Sequence, residues 1–303
     1  MSVAPVAAPS RAETPIVVEA TKEPRRFTLG SLPLNLALIL LTIIWVVPTL
    51  GLLVSSFRPG FLISRTGWWT ALAPPFQFTL QNYSDVLQTN NLFTSFINSL
   101  TIAIPATVMP IAIASFAAYA FAWMRFPLRN WLFLLLVGLL AVPLQMTLIP
   151  VLSLFKSLGL SGNFFGVWIA HTAYGLPFAI YLLRNFFGAL PGDLFESAQI
   201  DGAGPVTMFF RLVLPLSVPA LASLAIFQFL WTWNDLLVAL VYLGSAPQFA
   251  PMTVTIANLV NSLGSGYELL TAAAFISMAL PLVVFLALQR YFVRGMTAGA
   301  VKG

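Results

Sequence analysis

Cysteine is missing from this 303-residue sequence, and histidine occurs once, as His171. The first absence excludes disulfide scaffolds, thiol catalysis and Cys-ligated zinc or iron–sulfur centres. The second removes HExxH-type metal motifs and most histidine-based acid–base schemes, so no metal site is expected. Charge is scarce as well. Asp, Glu, Lys and Arg make up 8% of the chain, against about 25% in a soluble domain, which is too few to cover a water-facing surface. None of the three lysines, Lys22, Lys156 and Lys302, follows the glycine-rich phosphate cradle GxxxxGK(S/T), so the chain has no means of hydrolysing ATP by itself. No internal repeat is visible, which leaves an inverted-repeat secondary carrier unsupported.

What is present is apolar: 59% of the residues, with a mean hydropathy of +0.92. Runs long enough to cross a bilayer as helices, about 20 residues each, fall near 34–56, 93–121, 131–153, 164–186, 215–243 and 271–290. The expected fold is all-α, a polytopic membrane protein of six transmembrane helices in one domain, 34–303, behind a flexible cytoplasmic tail, 1–33. The first run starts late and lacks a cleavage pattern, so it reads as an uncleaved helix and not a signal peptide. Six spans place both termini on one side. Of the fourteen Lys and Arg, eleven fall on that side and only Arg58, Arg65 and Lys156 opposite, which by the positive-inside rule makes the termini cytoplasmic. The net charge of +5 thus reflects orientation in a lipid bilayer, and no nucleic-acid partner is expected. The outer loops are 57–92 and 244–270; Met252–Val260 in the second is too short to cross. Prolines 105, 110, 143, 150, 177 and 281 punctuate the spans, either as hinges of moving helices or as the ordinary prolines of membrane helices whose neighbours satisfy the freed carbonyls.

The cytoplasmic loop 187–212 is the most informative segment. Asp193 and Glu196 have the spacing of a capping box with acid at both ends, Gly202 is placed to stop the helix in a left-handed conformation, and Pro205 to open the next. Leu194, Phe195 and Ala198 would share one face. So short a helix needs something to dock against. Three acids and no base make anionic lipid a poor partner, and a protein groove a better one.

Glu196-Ser197-Ala198, then Asp201-Gly202, then Leu214-Pro215 resembles the EAA loop of ABC-importer permeases, with Ser197 where the pattern has alanine. Leu182–Phe187 and Trp233-Asn234-Asp235 extend the match, the tail from Gln289 to Gly303 resembles the end of the smaller permease subunit of maltose-type carbohydrate importers, and Phe57–Trp69 is similar to their α-glucoside branch. The resemblance implies a subunit of an ATP-driven, binding-protein-dependent sugar importer in a bacterial or archaeal inner membrane. Its implied partners are a second, homologous permease, a dimer of ATPase subunits that binds the ATP and Mg, and an extracytoplasmic sugar-binding protein. It implies no cofactor and no catalytic residue on this chain. Glu196, Ser197, Ala198, Asp201, Gly202, Leu214 and Pro215 would couple it to the ATPase. A permease for another solute, such as a polyol or a glycerol phosphate derivative, and an ion-coupled carrier are the alternatives.

Trp231, Trp233, Asn234 and Asp235 are the candidate substrate-path residues. Asp235 is the one acid inside an apolar span, where a carboxylate at mid-helix costs about 3 kcal/mol unless it faces water. Aromatic rings and polar groups suit a sugar. Equally, Asp235 can hold a neighbouring helix while the tryptophans anchor the interface. His171 reads as a hydrogen-bonded helix contact, and Trp68 and Trp69 as an interfacial belt.

Overall fold

The structure is a computed structural model that describes residues 32–88, 91–244, 246–259 and 266–300, with side chains as far as Gln289. The tail 1–31, part of the second outer loop (260–265) and the side chains of the C-terminal run after Gln289 lie outside the described residues. All regular structure among those residues is helical, which agrees with the all-α expectation.

The chain divides into two units, 1–48 and 49–303. The described part of the first is the beginning of α1 (Leu32–Ser56), apolar and exposed on every side. A helix that is hydrophobic all round is solvated by lipid, not water.

The second unit holds the remainder. The last turns of α1 lead into a loop, 57–92, built from α2 (Gly60–Ile63), a 3₁₀ turn at Trp68–Leu72 and α3 (Gln81–Gln88). Buried polar groups tie this loop together. The Asn82 amide donates to the carbonyls of Ser56 and Arg58, both at 2.9 Å, and the Ser56 hydroxyl meets the Tyr83 hydroxyl at 2.8 Å. Arg58, 2% exposed, donates to the hydroxyls of Thr66 and Thr70.

Then come α4 (Leu92–Trp123), α5 (Arg129–Leu139), α6 (Leu144–Ser157) and α7 (Phe164–Gly188). Ser99, Ala103, Ala106, Ala114 and Ala118 make a buried small-residue stripe along α4, and Gly166, Ala170, Gly175 and Ala179 do the same on α7. Small residues let two membrane helices approach closely without a hydrophobic driving force, and α4 packs along α7. On the chain runs through α8 (Gly192–Ile200), α9 (Pro205–Met208), a π-helical turn at Phe209–Val213, α10 (Leu214–Leu216), α11 (Val218–Trp233), α12 (Leu237–Leu243), α13 (Met252–Ala257) and α14 (Tyr267–Ala300). Three buried clusters make the core of this unit: one where α4 and α7 meet α8 and α11, one where α6 and α7 meet α12, and one where α11 packs on α4 and α14.

Two expected spans are not continuous. The run 131–153 is α5 and α6, which meet at 101°. Pro143 starts α6 with no N–H to give and an extended ψ of 125°, so the helix cannot pass through it. The run 215–243 is broken twice. α11 meets the preceding Pro205–Leu216 helix at 73° and ends at Trp233, three residues before α12. By length and composition four helices cross a membrane, or six if each bent pair is one span.

Three of the prolines inside the helices have an answer in the packing. Pro105, Pro110 and Pro281 each deprive a carbonyl four residues back of its N–H partner. Those carbonyls belong to Thr101, Ala106 and Ser277, and each accepts from a side chain of a neighbouring helix: Trp168 Nε1 at 2.8 Å, Gln228 Nε2 at 3.1 Å and Trp233 Nε1 at 3.2 Å. Gly175 on α7 makes room for the second, since a Cβ there would lie 2.8 Å from the Gln228 amide.

Candidate functional site

Two regions hold the residues singled out from the sequence. The first is α8 with its flanks. Its C-terminal end is a Schellman motif: Gly202 has φ +79°, its N–H bonds the Gln199 carbonyl at 3.0 Å, and the Ala203 N–H reaches back to Ala198 at 2.9 Å. Pro205 occupies the first position of α9 behind Gly204. The N-terminal end departs from expectation. Helix α8 starts at Gly192 after Pro191, and no side chain caps it. Proline's φ of −59° with ψ of 127° sets the start two residues earlier than a capping box on Asp193 would. Asp193 therefore lies inside the first turn, where its charge still suits the helix dipole, and Glu196 is not a cap.

Phe195 is the anchor of α8. It is 3% exposed and stacks on Trp123 at the end of α4, with ring centroids 3.6 Å apart. Trp123 in turn donates to the Phe187 carbonyl at 2.9 Å, Tyr119 donates to the Pro205 carbonyl at 3.1 Å, and Phe116 stacks on Phe209 at 4.6 Å. Positions 116, 119 and 123 share one face of α4, so three aromatics one above another pin the whole segment. None of them was expected from the loop motif; their helical spacing at the end of a span was the available signal. Ala198 and Leu214 are half-buried against the same cluster. Leu194 does not join that face: it is 40% exposed, and Ile200 is 86% exposed. Asp193, Glu196, Ser197, Asp201, Gly202 and Pro215 are exposed as well. The segment thus offers an acid-rimmed surface with protruding apolar side chains, held rigidly from behind.

The second region is the break after α11, and it separates residues that are adjacent in sequence. Trp233 is 2% exposed, stacked on Phe229 and edge-on to Phe96, with its N–H committed to the Ser277 carbonyl. Asp235 is in no helix. Its carboxylate accepts from the N–H groups of Val238 at 3.3 Å and Ala239 at 3.0 Å, capping the first turn of α12, and its carbonyl accepts from the Thr253 hydroxyl at 2.6 Å. That satisfaction offsets the cost of an acid at this depth. Asn234 is exposed and lines a cavity of about 540 Å³ with Thr253, Ser277, Met278 and Pro281. Trp231 is 38% exposed and meets His171 edge-on at 5.2 Å. His171 is wholly buried and departs from expectation. Neither ring nitrogen has a hydrogen-bond partner, and Nε2 lies 3.7 Å from the Asp235 carboxylate.

The loop between α12 and α14 is built into this region. The Asn98 amide donates to the carbonyls of Gln248 and Ala250, the Met252 N–H donates to the Ser99 hydroxyl at 2.8 Å, and Ser95 meets Thr255 at 2.6 Å. No group of three or more potential metal ligands occurs among the described residues.

A helical membrane unit with a rigidly held, acid-rimmed helix between two spans has known counterparts. Residues 110–298 match the family described as binding-protein-dependent transport system inner membrane component. The chain belongs to that family. It is 60% identical over 274 residues to the osmoprotective compounds uptake permease protein GgtD of Synechocystis sp., covering 89% of this chain and 92% of the relative. With the alpha-glucoside transport system permease protein AglG of Rhizobium meliloti it shares 55% over 241 residues, 78% of this chain and 63% of the relative. The fold is similar to a chain of a bacterial ABC transporter that imports the acidic polysaccharide alginate, with a TM-score of 0.61 at 19% identity, over 88% of this chain and 96% of that one. The chain is thus an inner-membrane permease component of an ABC importer, and α8 is the helix that carries the EAA-like residues of this permease.

Proposed function

We propose that this permease forms half of the translocation pathway for a neutral α-glucoside and is driven by an ATPase subunit docked on α8. The observation that carries the reading is the surface of α8: Leu194 and Ile200 stand out beside Asp193, Glu196 and Asp201, while Phe195 and the Schellman stop hold the helix still. Exposed apolar side chains ringed by acid suit a protein cleft with basic edges and do not suit anionic lipid. A helix stacked on Trp123 passes the movement of that cleft to α4.

The solute class rests on the two relatives together. One takes up osmoprotective compounds and the other an α-glucoside. A solute that satisfies both descriptions is small, uncharged and rich in hydroxyls. The cavity at Asn234, Thr253 and Ser277 has the size of a small-molecule site, and its amide and hydroxyls suit sugar hydroxyls. In this reading Trp231 and Asn234 face the path, while Trp233 and Asp235 support it.

The termini, α8 and the loop between α4 and α5 lie in the cytoplasm, by the charge split. The transport test is uptake by the complete complex of this chain, its homologous permease, the ATPase dimer and the binding protein. Labelled trehalose or sucrose should accumulate with ATP in the presence of a protonophore, and glycerol 3-phosphate should not. Uptake that collapses with the protonophore at constant ATP would make the chain an ion-coupled carrier, and preference for the phosphate would replace the solute class.

A further inference from the structure

Between Asp85 and Asp193 the sequence holds no acidic residue, yet it holds Arg125, Arg129, Lys156 and Arg184. Three of these arginines gather at one end of the helices. Arg125 and Arg129 line a cavity of about 450 Å³ at the turn from α4 to α5, with Asn130, Trp131, Phe126 and Leu128 as its other walls. Arg129 donates to the Met124 carbonyl at 3.1 Å, which fixes its side chain across the turn. Arg184 of α7 lies over the Phe133 ring at 5.0 Å, and Phe133 is one turn beyond Arg129 on the same face of α5. Among the described residues no carboxylate pairs with Arg125, Arg129 or Arg184.

The surroundings say what completes the cluster. Helix α5 buries none of its residues, and Trp131, Leu132, Leu134, Leu135 and Leu139 are all exposed large apolar side chains. Such a helix faces acyl chains along its length. Trp131, 70% exposed at its first turn, has the amphipathic ring that settles at the headgroup level. A cation pair directly beside that ring therefore meets phosphate oxygens, and Arg is the side chain whose planar fork pairs with phosphate through two parallel bonds.

We propose that Arg125, Arg129 and Asn130 form a binding site for the phosphate group of an anionic phospholipid, with Trp131 against its glycerol and upper acyl region. The lipid would fill the corner between α4, α5 and α7 and neutralise a cation cluster that the chain leaves open. The cytoplasmic placement of this turn rests on the topology read from the charge split. Lipid occupancy is measured whichever leaflet the turn faces, so failure of the site and failure of the topology are distinguishable.

The test uses the complete complex in nanodiscs of phosphatidylcholine, with or without phosphatidylglycerol, and native mass spectrometry to count lipids retained after mild delipidation. Phosphatidylglycerol should be retained over phosphatidylcholine, with retention falling about fivefold for Arg125→Gln or Arg129→Gln and further for the pair, from the usual worth of one basic residue at an anionic leaflet. Arg65→Gln, in the outer loop, should leave retention unchanged. Equal retention by the parent and the double variant would overturn the proposal. Inorganic phosphate bound by the parent in pure phosphatidylcholine, with the same dependence on Arg125 and Arg129 and no retained phosphatidylglycerol, would overturn the lipid as the source of the phosphate.

Discussion

The α8 segment and the break after α11 are both short interruptions between membrane helices, yet they are specified in opposite ways. The first is written locally. Pro191, Gly202, Gly204 and Pro205 punctuate it through their own backbone preferences, and its stop needs only bonds to the preceding turn. The second is written across the fold. Asp235 closes the first turn of α12, Thr253 comes from the outer loop, and Trp233 reaches a carbonyl that Pro281 has freed on α14. A locally built element can move as one body when a partner pushes it. An element built from three separated stretches moves only if its neighbours move too; on the proposed coupling, α8 would be the lever and the break the joint.

The largest effect expected on the lever comes from Phe195→Ala. It empties the stack on Trp123 and should cost about 3 kcal/mol of packing, seen as a lower melting midpoint of the purified complex and a loss of uptake greater than the loss of assembly. If uptake and assembly fell in parallel, Phe195 would be ordinary core and the segment would not be a lever.

The joint is probed next by Gln228→Leu, which strands the Ala106 carbonyl behind Pro110 and should cost about 1–2 kcal/mol. Adding Pro110→Ala returns a backbone donor to that carbonyl, so the same substitution should then cost little. A penalty unchanged in the second background would mean the Gln228 bond does not answer the proline.

Asp235 sharpens the comparison further. As a helix cap, Asp235→Ala should lower stability by about 1 kcal/mol, whereas Asp235→Asn keeps one of the two oxygens that accept from Val238 and Ala239 and should cost less and still assemble. Uptake lost in Asp235→Asn with intact assembly would assign the carboxylate to the solute path instead. The smallest change is at the end of α8. Gly202 has open space beside it but a left-handed backbone, so Gly202→Ala should cost about 1 kcal/mol and Gly202→Asn less, measured by the melting midpoint of the chain.

These differences also explain what could be read before the structure. The all-α membrane class, the glycine stop and the proline start of α9 follow from hydropathy and backbone sterics alone. The bend at Pro143 was hidden because an apolar run looks continuous whichever way the chain turns. Trp233 and Asp235 looked like path residues because rings and a carboxylate in an apolar run suit a sugar as well as they suit a neighbour. Only the positions of Ser277 and Ala239 separate the two uses. Trp123 went unremarked since its value lies in Phe195, seventy-two residues away.

Ile200 offers the most direct test of the lever, because at 86% exposure it has almost no role within this chain. ATP hydrolysis by the complete complex should be compared between the parent and Ile200→Asp, with and without solute-loaded binding protein. The expected result is a correctly inserted, normally folded permease in a complex whose ATPase is lost or no longer rises with the loaded binding protein. Full stimulation and full uptake in Ile200→Asp would contradict it, since a helix merely resting at the membrane surface would tolerate the change.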